Sequence, residues 1–372
     1  MNDRSMKIAI IGTRGIPNNY GGFEQFAEYI SVNLAQRGHD VTVYNPHFHI
    51  YKENMFKGVH IRHVYCPEKY LKAMAHFIYD WLCLKDALKQ GFDIIYEAGY
   101  HSNALSYLML KKNHPVVITN MDGLEWKRSK WSWVTRQIIK WLERLAVHKS
   151  DYLISDNKGI QEYYQKRFGK DSFYVAYGAN VVANFDESVL TRYALSRYNY
   201  YILIARLEPE NNIETVLDGY IRTETEYPFI VVGNNKTRYG KHLMRKYKDR
   251  NVRFIGASYN KEDLDVLRKY ACIYFHGHSV GGTNPSLLEA MASEALIAAH
   301  HNIFNQSVLQ QNAFYFEDSS AVARIIDAYP TLSGDIRKNY IEKNRELIEK
   351  EYSWEYITTV HESLFMKLLS VK

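Results

Sequence analysis

The sequence contains no run of about 18 uninterrupted apolar residues, the length that a helix needs to cross a bilayer. Its first seven residues are mostly polar and lead into a short apolar run that ends at Gly12, so neither a signal peptide nor a membrane-spanning helix is expected. Its only cysteines, Cys66, Cys83 and Cys272, lack the spacing of a disulfide framework or a zinc site. They are predicted to be reduced, buried thiols of a cytoplasmic protein.

Stretches rich in proline, serine and glycine are also missing, and no block of like charge indicates a disordered arm. At 372 residues, with 46% hydrophobic and 24% charged residues, the chain is long enough for two globular domains. The first 180 residues carry 24 lysines and arginines against 17 acidic residues, whereas the remainder carries 23 against 24. We therefore expect the first half to meet an anionic partner.

Apolar runs alternate with helical patterns along the whole chain. Residues 7–12 form a continuous apolar run typical of a parallel strand buried on both faces, and residues 23–37 have apolar side chains at helical spacing. A second strand follows at residues 41–44, so a right-handed parallel crossover is predicted. The alternation continues, with helices near residues 71–88 and from about 131 to 148.

The same cycle of strands and helices begins again at Tyr200. An α/β protein with two Rossmann-like, doubly wound domains that face each other across a cleft is therefore predicted. Residues 1–180 are assigned to an acceptor-binding domain, joined by a C-terminal helix of about residues 353–372. Residues 181–352 are assigned to a domain that binds a nucleotide sugar.

A glycine-rich turn, residues 12–22, connects the first strand to the first helix. A helix N-terminus reached through glycines offers N–H groups to an anion, so Gly21 and Gly22 are predicted to bind the donor. The spacing does not match the dinucleotide-binding pattern, and Asn45 stands at the end of the second strand, where that pattern needs an acidic residue. A long turn with a purely structural role is the alternative.

A second anion site is predicted near Asn284, which can cap a helix whose first residue is Pro285. Ser286 and Leu287 would then present unpaired N–H groups to a diphosphate. Glu289, one turn further, could accept bonds from ribose hydroxyls, or it could simply be an acid favoured by the helix dipole. The residues predicted to bind the donor here are Gly282, Thr283, Asn284, Ser286, Leu287 and Glu289.

Arg206 directly follows the apolar run of residues 200–205, at the carboxyl end of a predicted strand. The planar fork of donors on a guanidinium suits a diphosphate whose charge grows as the sugar departs. We therefore predict a catalytic and donor-binding role for Arg206. A structural salt bridge is the alternative interpretation.

These motifs resemble those of the retaining glycosyltransferases of family 4, which have the GT-B fold, over nearly the whole chain. Family members have an arginine and leucine after a strand and then a lysine; here these positions are Arg206, Leu207 and Asn211. They also have two glutamates eight positions apart, of which the second matches Glu289 and the first is Gly281. The resemblance implies that Arg206, Asn211 and Glu289 contact the donor, with two departures from the family pattern.

Residues 11–24, 122–128 and 276–285 are similar to a bacterial subgroup of that family that includes rhamnosyltransferases of surface polysaccharide synthesis. The resemblance implies transfer of a hexosyl unit, in particular rhamnosyl, to a lipid-linked saccharide, with retention and with no metal or other cofactor. The donor would be a deoxythymidine or uridine diphosphate sugar. Asp122, after the strand of residues 116–119, is predicted to act beside Arg206 and Glu289 in catalysis; a structural turn is the alternative.

The segment of residues 126–149 carries seven basic residues and one acidic residue among four tryptophans. Such a segment is typical of a helix that rests on an anionic bilayer, and an ordinary solvated helix is the alternative. The residues predicted to contact the membrane or the acceptor are Trp126, Lys127, Arg128, Lys130, Trp131 and Trp133. We expect a cytoplasmic protein at the inner face of the membrane and no nucleic-acid partner.

Two further functions fit the same architecture. A sugar-nucleotide epimerase would need acid and base carboxylates in the cleft and no surface for lipid. A non-catalytic subunit that binds a nucleotide sugar would explain why Asn211 and Gly281 replace the family's lysine and glutamate. These alternatives differ in what the protein would release from a nucleotide sugar: a transferred sugar, an epimerised donor or nothing.

Overall fold

The computed structural model describes residues 5–121, 123–128, 131–258 and 260–371. The chain divides into two compact units: Met1–Tyr177 with Trp354–Lys372, and Gly178–Ser353. Each unit is built around its own sheet of parallel strands flanked by helices. The predicted α/β fold class with two domains is thus confirmed.

The first unit contains an eight-stranded sheet with the order β3-β4-β2-β1-β5-β6-β7-β8, in which β3 and β4 form the antiparallel pair. Its strands are β1 (Lys7–Ile11), β2 (Asp40–Pro46), β3 (Met55–Phe56), β4 (Val59–Val64), β5 (Ile94–Glu97), β6 (Val116–Asn120), β7 (Tyr152–Ser155) and β8 (Phe173–Tyr174). The strand order reverses between β1 and β5, so the loops that follow these two strands meet at a topological switch point.

The helices of this unit up to residue 168 are α1 (Gly22–Gln36), α2 (Glu68–Leu71), α3 (Ala75–Ala87), α4 (Trp133–Lys149) and α5 (Lys158–Phe168). Three short 3₁₀ helices, Lys72–Met74, Ala104–Met109 and Glu125–Lys127, lie among them. The single helix predicted near residues 71–88 is wrong at its start. Lys72 has a φ of 48°, in the left-handed region, which an α-helix cannot pass through, so the chain turns before α3 begins.

The second unit contains a six-stranded parallel sheet with the order β11-β10-β9-β12-β13-β14. Its strands are β9 (Tyr201–Ile204), β10 (Phe229–Val232), β11 (Val252–Gly256), β12 (Tyr274–His276), β13 (Ile297–His300) and β14 (Phe314–Phe316). Tyr201, Phe229 and Phe275 lie in one hydrophobic core beneath the sheet. The strand order reverses between β9 and β12, where open α/β sheets bind their ligands.

Eight helices surround this sheet in the described residues: α6 (Ser188–Arg192), α7 (Ile213–Tyr220), α8 (Arg238–Lys246), α9 (Lys261–Lys269), α10 (Pro285–Ala292), α11 (Ile303–Leu309), α12 (Ser319–Ala328) and α13 (Gly334–Leu347). The 3₁₀ helices Pro209–Asn211 and Tyr329–Thr331 and a π-helical turn, Ile348–Tyr352, complete the unit.

The last helix, α14 (Trp354–Val371), packs on α1 of the first unit. The ring of Trp354 stacks on Tyr29 with 4.7 Å between ring centroids, and Arg37 forms an ion pair with Glu362. Both contacts join the end of the chain to its first helix. None of the helices in the described residues is long and apolar enough to pass through a bilayer.

Candidate active site

Arg206 lies just beyond β9, at the switch point of the second sheet. Its side chain is exposed and forms no ion pair within the described part of the chain, whereas the next residue, Leu207, is buried in the core. The carbonyl of Arg206 accepts bonds from the side chain of Asn211 over 2.7 Å and from the N–H of Glu208 over 2.8 Å. The backbone is therefore held in place while the guanidinium stays available to an anion.

Asn211 occupies the position where the family pattern has a lysine, and its side chain points inward. It is 3% exposed, and its Nδ2 donates to the carbonyl of Arg206. The following residue, Asn212, donates over 2.8 Å to the carbonyl of Gly277, in the loop after β12. A Cβ at Gly277 would lie 2.1 Å from the carbonyl oxygen of Asn211, so only glycine lets the two loops pack this closely. The position of Arg206 is thus tied to the loop that precedes α10.

The N-terminus of α10 is capped as predicted. The side chain of Asn284 accepts from the N–H of Ser286 over 2.9 Å, and Pro285 is the first helical residue. The N–H of Leu287 donates to the carbonyl of Asn284 over 3.0 Å. The expectation that the Ser286 and Leu287 N–H groups are unpaired is therefore wrong, because the asparagine cap itself accepts one of these bonds and its carbonyl the other. A donor phosphate would have to replace these bonds or bind beside them.

The loop before this cap is shaped by glycine. Gly281 has a φ of 129°, a conformation that side chains rarely adopt, and no atom lies within 4 Å of the position of a Cβ. A glutamate at this position would be strained by the backbone rather than by crowding. This explains why the first glutamate of the family pattern does not fit the present loop. Gly282 and the buried Thr283 continue the loop to Asn284.

Glu289 is held by a buried arginine that the sequence analysis misses. Arg268, at the end of α9, is 1% exposed and donates to Glu289 Oε2 over 2.6 Å and to Asp265 Oδ1 over 3.0 Å. Burial alone would lower the pKa of Arg268, but the carboxylates of Glu289 and Asp265 raise it. Arg268 therefore stays charged and orients the Glu289 carboxylate.

A second residue missed by the sequence analysis is His276, the last residue of β12. It is 1% exposed, its ring stacks on His278 with 4.4 Å between centroids, and neither ring nitrogen has a hydrogen-bond partner in the described residues. Burial, followed by the nearby His278, lowers its pKa well below the usual value, so the ring is neutral. On the same strand the hydroxyl of Tyr274 contacts Ser286 Oγ at 2.9 Å, which places this face of β12 beneath the start of α10.

In the first unit, side chains of α1 and β2 hold the backbone of the loop after β1. The N–H of Arg14 donates to Glu24 Oε1 over 2.8 Å, and Asn45 forms two hydrogen bonds with the backbone of Ile16. Burial raises the pKa of Glu24, although the N–H groups of Arg14 and Gly21 oppose this shift. Gly21 caps α1 and Gly22 is its first residue. Their role in donor binding stays a prediction.

Two buried carboxyl groups of the first unit, Asp80 on α3 and Glu97 at the end of β5, interact with each other. Burial raises the pKa of Asp80 to about 7, and burial together with the nearby Asp80 raises the pKa of Glu97 well above its usual value. Asn103 donates from Nδ2 to Glu97 Oε2, and a Cβ at Gly12 would lie 2.3 Å from that Nδ2. Gly12, the residue after β1, therefore leaves the space that Asn103, in the loop after β5, occupies.

The predicted membrane and acceptor residues take different orientations. Trp126 donates from its indole to Glu143 over 3.3 Å, and Trp131 donates to Glu125 over 3.1 Å. Both indoles are half-buried, and Arg128 forms an ion pair with Glu125 over 2.5 Å. By contrast, Lys127 and Trp133 are exposed. The predictions for Asp122 and Lys130 fall on residues outside the described part of the chain.

Family models match most of the chain in two parts. Residues 193–347 match the glycosyl transferases group 1, and residues 5–180 match a domain of unknown function, DUF1972. No curated protein matches the chain. The group 1 match covers Arg206, the α10 cap and Glu289.

Solved structures match both units together. A sucrose-phosphate synthase from Thermosynechococcus elongatus has a TM-score of 0.84 at 16% identity, covering 99% of this chain and 100% of that chain. The chain has the GT-B fold. Anabaena HepE in complex with UDP and glucose has a TM-score of 0.74 at 15% identity, over 96% and 99% of the two chains. The catalytic domain of Arabidopsis thaliana starch synthase IV, bound to ADP and acarbose, has a TM-score of 0.73 at 14% identity, over 99% and 100%. This fold and the group 1 match together support the prediction that the protein is a GT-B glycosyltransferase.

Proposed function

We propose that this protein transfers a hexosyl unit from a nucleoside diphosphate sugar to a lipid-linked saccharide in bacterial surface polysaccharide synthesis. The observation that carries the proposal is the group of residues at the switch point between β9 and β12. Arg206 lies there with an exposed guanidinium that has no ion pair in the described residues. The capped N-terminus of α10 follows the second of these strands, and Glu289 lies one turn into that helix. These groups suit a diphosphate and a ribose.

In the proposed reaction, Arg206 binds the diphosphate and stabilises the charge that develops on it as the bond to the sugar breaks. Glu289, oriented by Arg268, accepts hydrogen bonds from the ribose hydroxyls. The acceptor hydroxyl attacks on the face from which the diphosphate leaves, and its proton passes to a phosphate oxygen, so the anomeric configuration is retained. The resemblance to family 4 supports this stereochemistry, and the subgroup motifs support rhamnose as the sugar and deoxythymidine diphosphate as its carrier.

The domain assignment is part of the proposal: the second unit binds the nucleotide sugar, and the first unit binds the acceptor at the inner face of the membrane. A non-catalytic subunit that binds a nucleotide sugar is the second candidate. One observation favours it: Asn211 stands where the family pattern has a lysine, and its amide points inward to the carbonyl of Arg206. The site therefore lacks a second cation beside Arg206 at this position.

The test is incubation of the purified protein with deoxythymidine and uridine diphosphate sugars and a lipid-linked saccharide. Mass spectrometry would detect the elongated acceptor, and NMR of the product and of the recovered donor would identify the linkage and any epimer. Transfer with a retained anomeric configuration is expected. Donor binding without turnover would support the non-catalytic subunit, and an epimerised donor would replace both candidates with an epimerase.

A further inference from the structure

Three elements of the first unit carry exposed apolar side chains: α3, α4 and the 3₁₀ helix Ala104–Met109. The 3₁₀ helix contacts both α3 and α4. Large apolar residues are exposed on all three elements, with Trp81 at 38% on α3, Leu108 at 59% on the 3₁₀ helix and Trp141 at 51% on α4. An exposed apolar surface built from several elements is uncommon on a soluble protein with no partner. We call these three elements and their exposed side chains the docking face.

Each element of the docking face has the same design, an apolar stripe that ends in a basic residue. In α3, Ile78 and Trp81 lie one turn apart on the exposed side and Lys85 follows one turn later. In the 3₁₀ helix the exposed positions repeat every three residues, from Leu105 to Leu108, and Lys111 continues the spacing beyond its end.

The third element, α4, repeats the design over a longer helix. Val134, Ile138 and Trp141 are exposed on one face, and Arg144 and Lys149 follow at exposed positions. In the α3 stripe the apolar and basic side chains are in contact: Lys85 Nζ lies 4.6 Å from the ring centroid of Trp81. An indole beside a basic residue is the arrangement that the boundary between lipid headgroups and acyl chains favours.

The charges of the docking face have one sign. Its three elements contain three acidic residues, and none of them is exposed. Asp80 and Glu143 are buried, and Asp86 accepts from the hydroxyl of Tyr44 and pairs with Arg62 over 2.8 Å. The exposed charges on these elements and at the end of the 3₁₀ helix are therefore basic.

We propose that the docking face binds the surface of a bilayer that contains anionic lipid, with the three apolar stripes inserted and the basic residues at the phosphates. The charge argues against a second copy of the chain as the occupant, because a twofold interface would bring the same basic residues together. The proposal deepens the proposed function, since a lipid-linked acceptor is presented at such a surface. It also differs from the sequence prediction, because two of its three elements lie outside residues 126–149 and two predicted indoles, Trp126 and Trp131, are bonded within the protein.

The test is sedimentation with vesicles of phosphatidylcholine, with and without phosphatidylglycerol. Three double variants each replace two apolar residues of one stripe: Ile78→Ser with Trp81→Ser, Leu105→Ser with Leu108→Ser, and Ile138→Ser with Trp141→Ser. The matched control, Met244→Ser with Ile336→Ser, removes two apolar residues of similar exposure from the second unit. Thermal unfolding checks that each variant is folded.

We expect the wild-type protein to bind the vesicles with phosphatidylglycerol and to be released by salt. Each stripe variant should lower the partition constant by about tenfold or more, because it loses two apolar side chains that the bilayer would bury. The control should leave the partition constant unchanged. Lys85→Gln and Lys111→Gln should each lower it by about fivefold. The proposal is overturned if the wild type does not bind, or if the variants of α3 and the 3₁₀ helix bind as the wild type does. It is also overturned if the wild type is a dimer without lipid that the variants dissociate.

The same variants separate this proposal from the proposed function. Transfer to a water-soluble analogue of the acceptor, measured without vesicles, should be unchanged in all three stripe variants. Absence of transfer by a wild-type protein that binds vesicles would count against the glycosyltransferase and leave the docking face standing.

Discussion

Arg268 Nη2 donates to Glu289 Oε2 over 2.6 Å, and the arginine side chain is almost completely buried. The carboxylate therefore has a structural partner as well as a proposed ligand. A charge as deeply buried as that of Arg268 needs carboxylate partners. In the described residues these partners are Glu289 and Asp265. Any experiment on Glu289 must distinguish the loss of this ion pair from the loss of a bond to the donor.

The first prediction concerns the stability of the second unit. Glu289→Ala should lower the free energy of unfolding by about 3 kcal/mol, because it removes one partner of a buried ion pair and leaves Arg268 undercompensated. Glu289→Gln keeps an oxygen that can accept the Arg268 N–H and should cost less. Urea unfolding followed by circular dichroism measures both. Equal stability of Glu289→Ala and the wild type would show that Asp265 alone compensates the buried guanidinium.

The second prediction concerns Arg206. Arg206→Ala should lower turnover by about 100-fold or more, because one preorganised charge stabiliser typically contributes about 3 kcal/mol to transition-state binding. The melting temperature should not change, since the side chain is exposed and has no ion pair in the described residues. Arg238→Ala, at another exposed arginine of the same unit, is the control. Near-normal turnover of folded Arg206→Ala would remove this residue from the catalytic step.

Local patterns in the sequence were sufficient to predict the fold class and part of the candidate site. The continuous apolar run of residues 7–12 predicts β1, and the pair Asn284 and Pro285 predicts the start of α10, because a buried strand and a helix cap depend on adjacent residues. Arg206 could be placed at a strand end for the same reason. Its availability to an anion is a property of the folded unit, which supplies no ion pair in the described residues.

The features that the sequence analysis misses depend on contacts between distant positions. Arg268 and Glu289 are 21 positions apart on different helices, and no periodic pattern links them. The inward orientation of Asn211 depends on the loop that contains Gly277. The docking face combines α3, a 3₁₀ helix and α4, and only the last of these has enough basic residues to be noticed in the sequence. Tertiary packing decides each of these cases.

The third prediction concerns the pH dependence of stability through Asp80. Burial raises its pKa from 3.8 to about 7, so between these values the folded chain keeps a proton that the unfolded chain releases. The contribution of Asp80 is therefore fully present below pH 3.8 and is lost as the pH rises towards 7. Asp80→Asn should be more stable than the wild type at pH 8, by as much as about 4 kcal/mol, and equally stable near pH 4.

Urea unfolding of the wild type and Asp80→Asn across this pH range measures the effect. Asp171→Asn, at an exposed aspartate of the same unit, is the control and should follow the wild type. If Asp80→Asn is less stable than the wild type at pH 8, the carboxylate is stabilised in its charged form, contrary to the prediction.

The last prediction asks whether the donor carries deoxythymidine or uridine. A ribose offers two vicinal hydroxyls to the Glu289 carboxylate, whereas a deoxyribose offers the 3′ hydroxyl alone. For a deoxythymidine diphosphate sugar, Glu289→Gln should therefore weaken binding by about one charge-assisted hydrogen bond, ~1.5 to 3 kcal/mol. For the matched uridine donor the loss should be larger, because two bonds depend on the carboxylate. The glutamine variant is preferred to alanine because it keeps an acceptor for Arg268.

Calorimetry with matched deoxythymidine and uridine nucleotides measures both losses, and thermal unfolding in the absence of ligand checks that the variant is folded. Glu224→Gln, at an exposed acid of the same unit, is the control and should bind both nucleotides as the wild type does. Unchanged affinity of Glu289→Gln for both nucleotides would remove Glu289 from the donor site. Its role would then be to compensate Arg268, because the ion pair between the two residues exists without a donor.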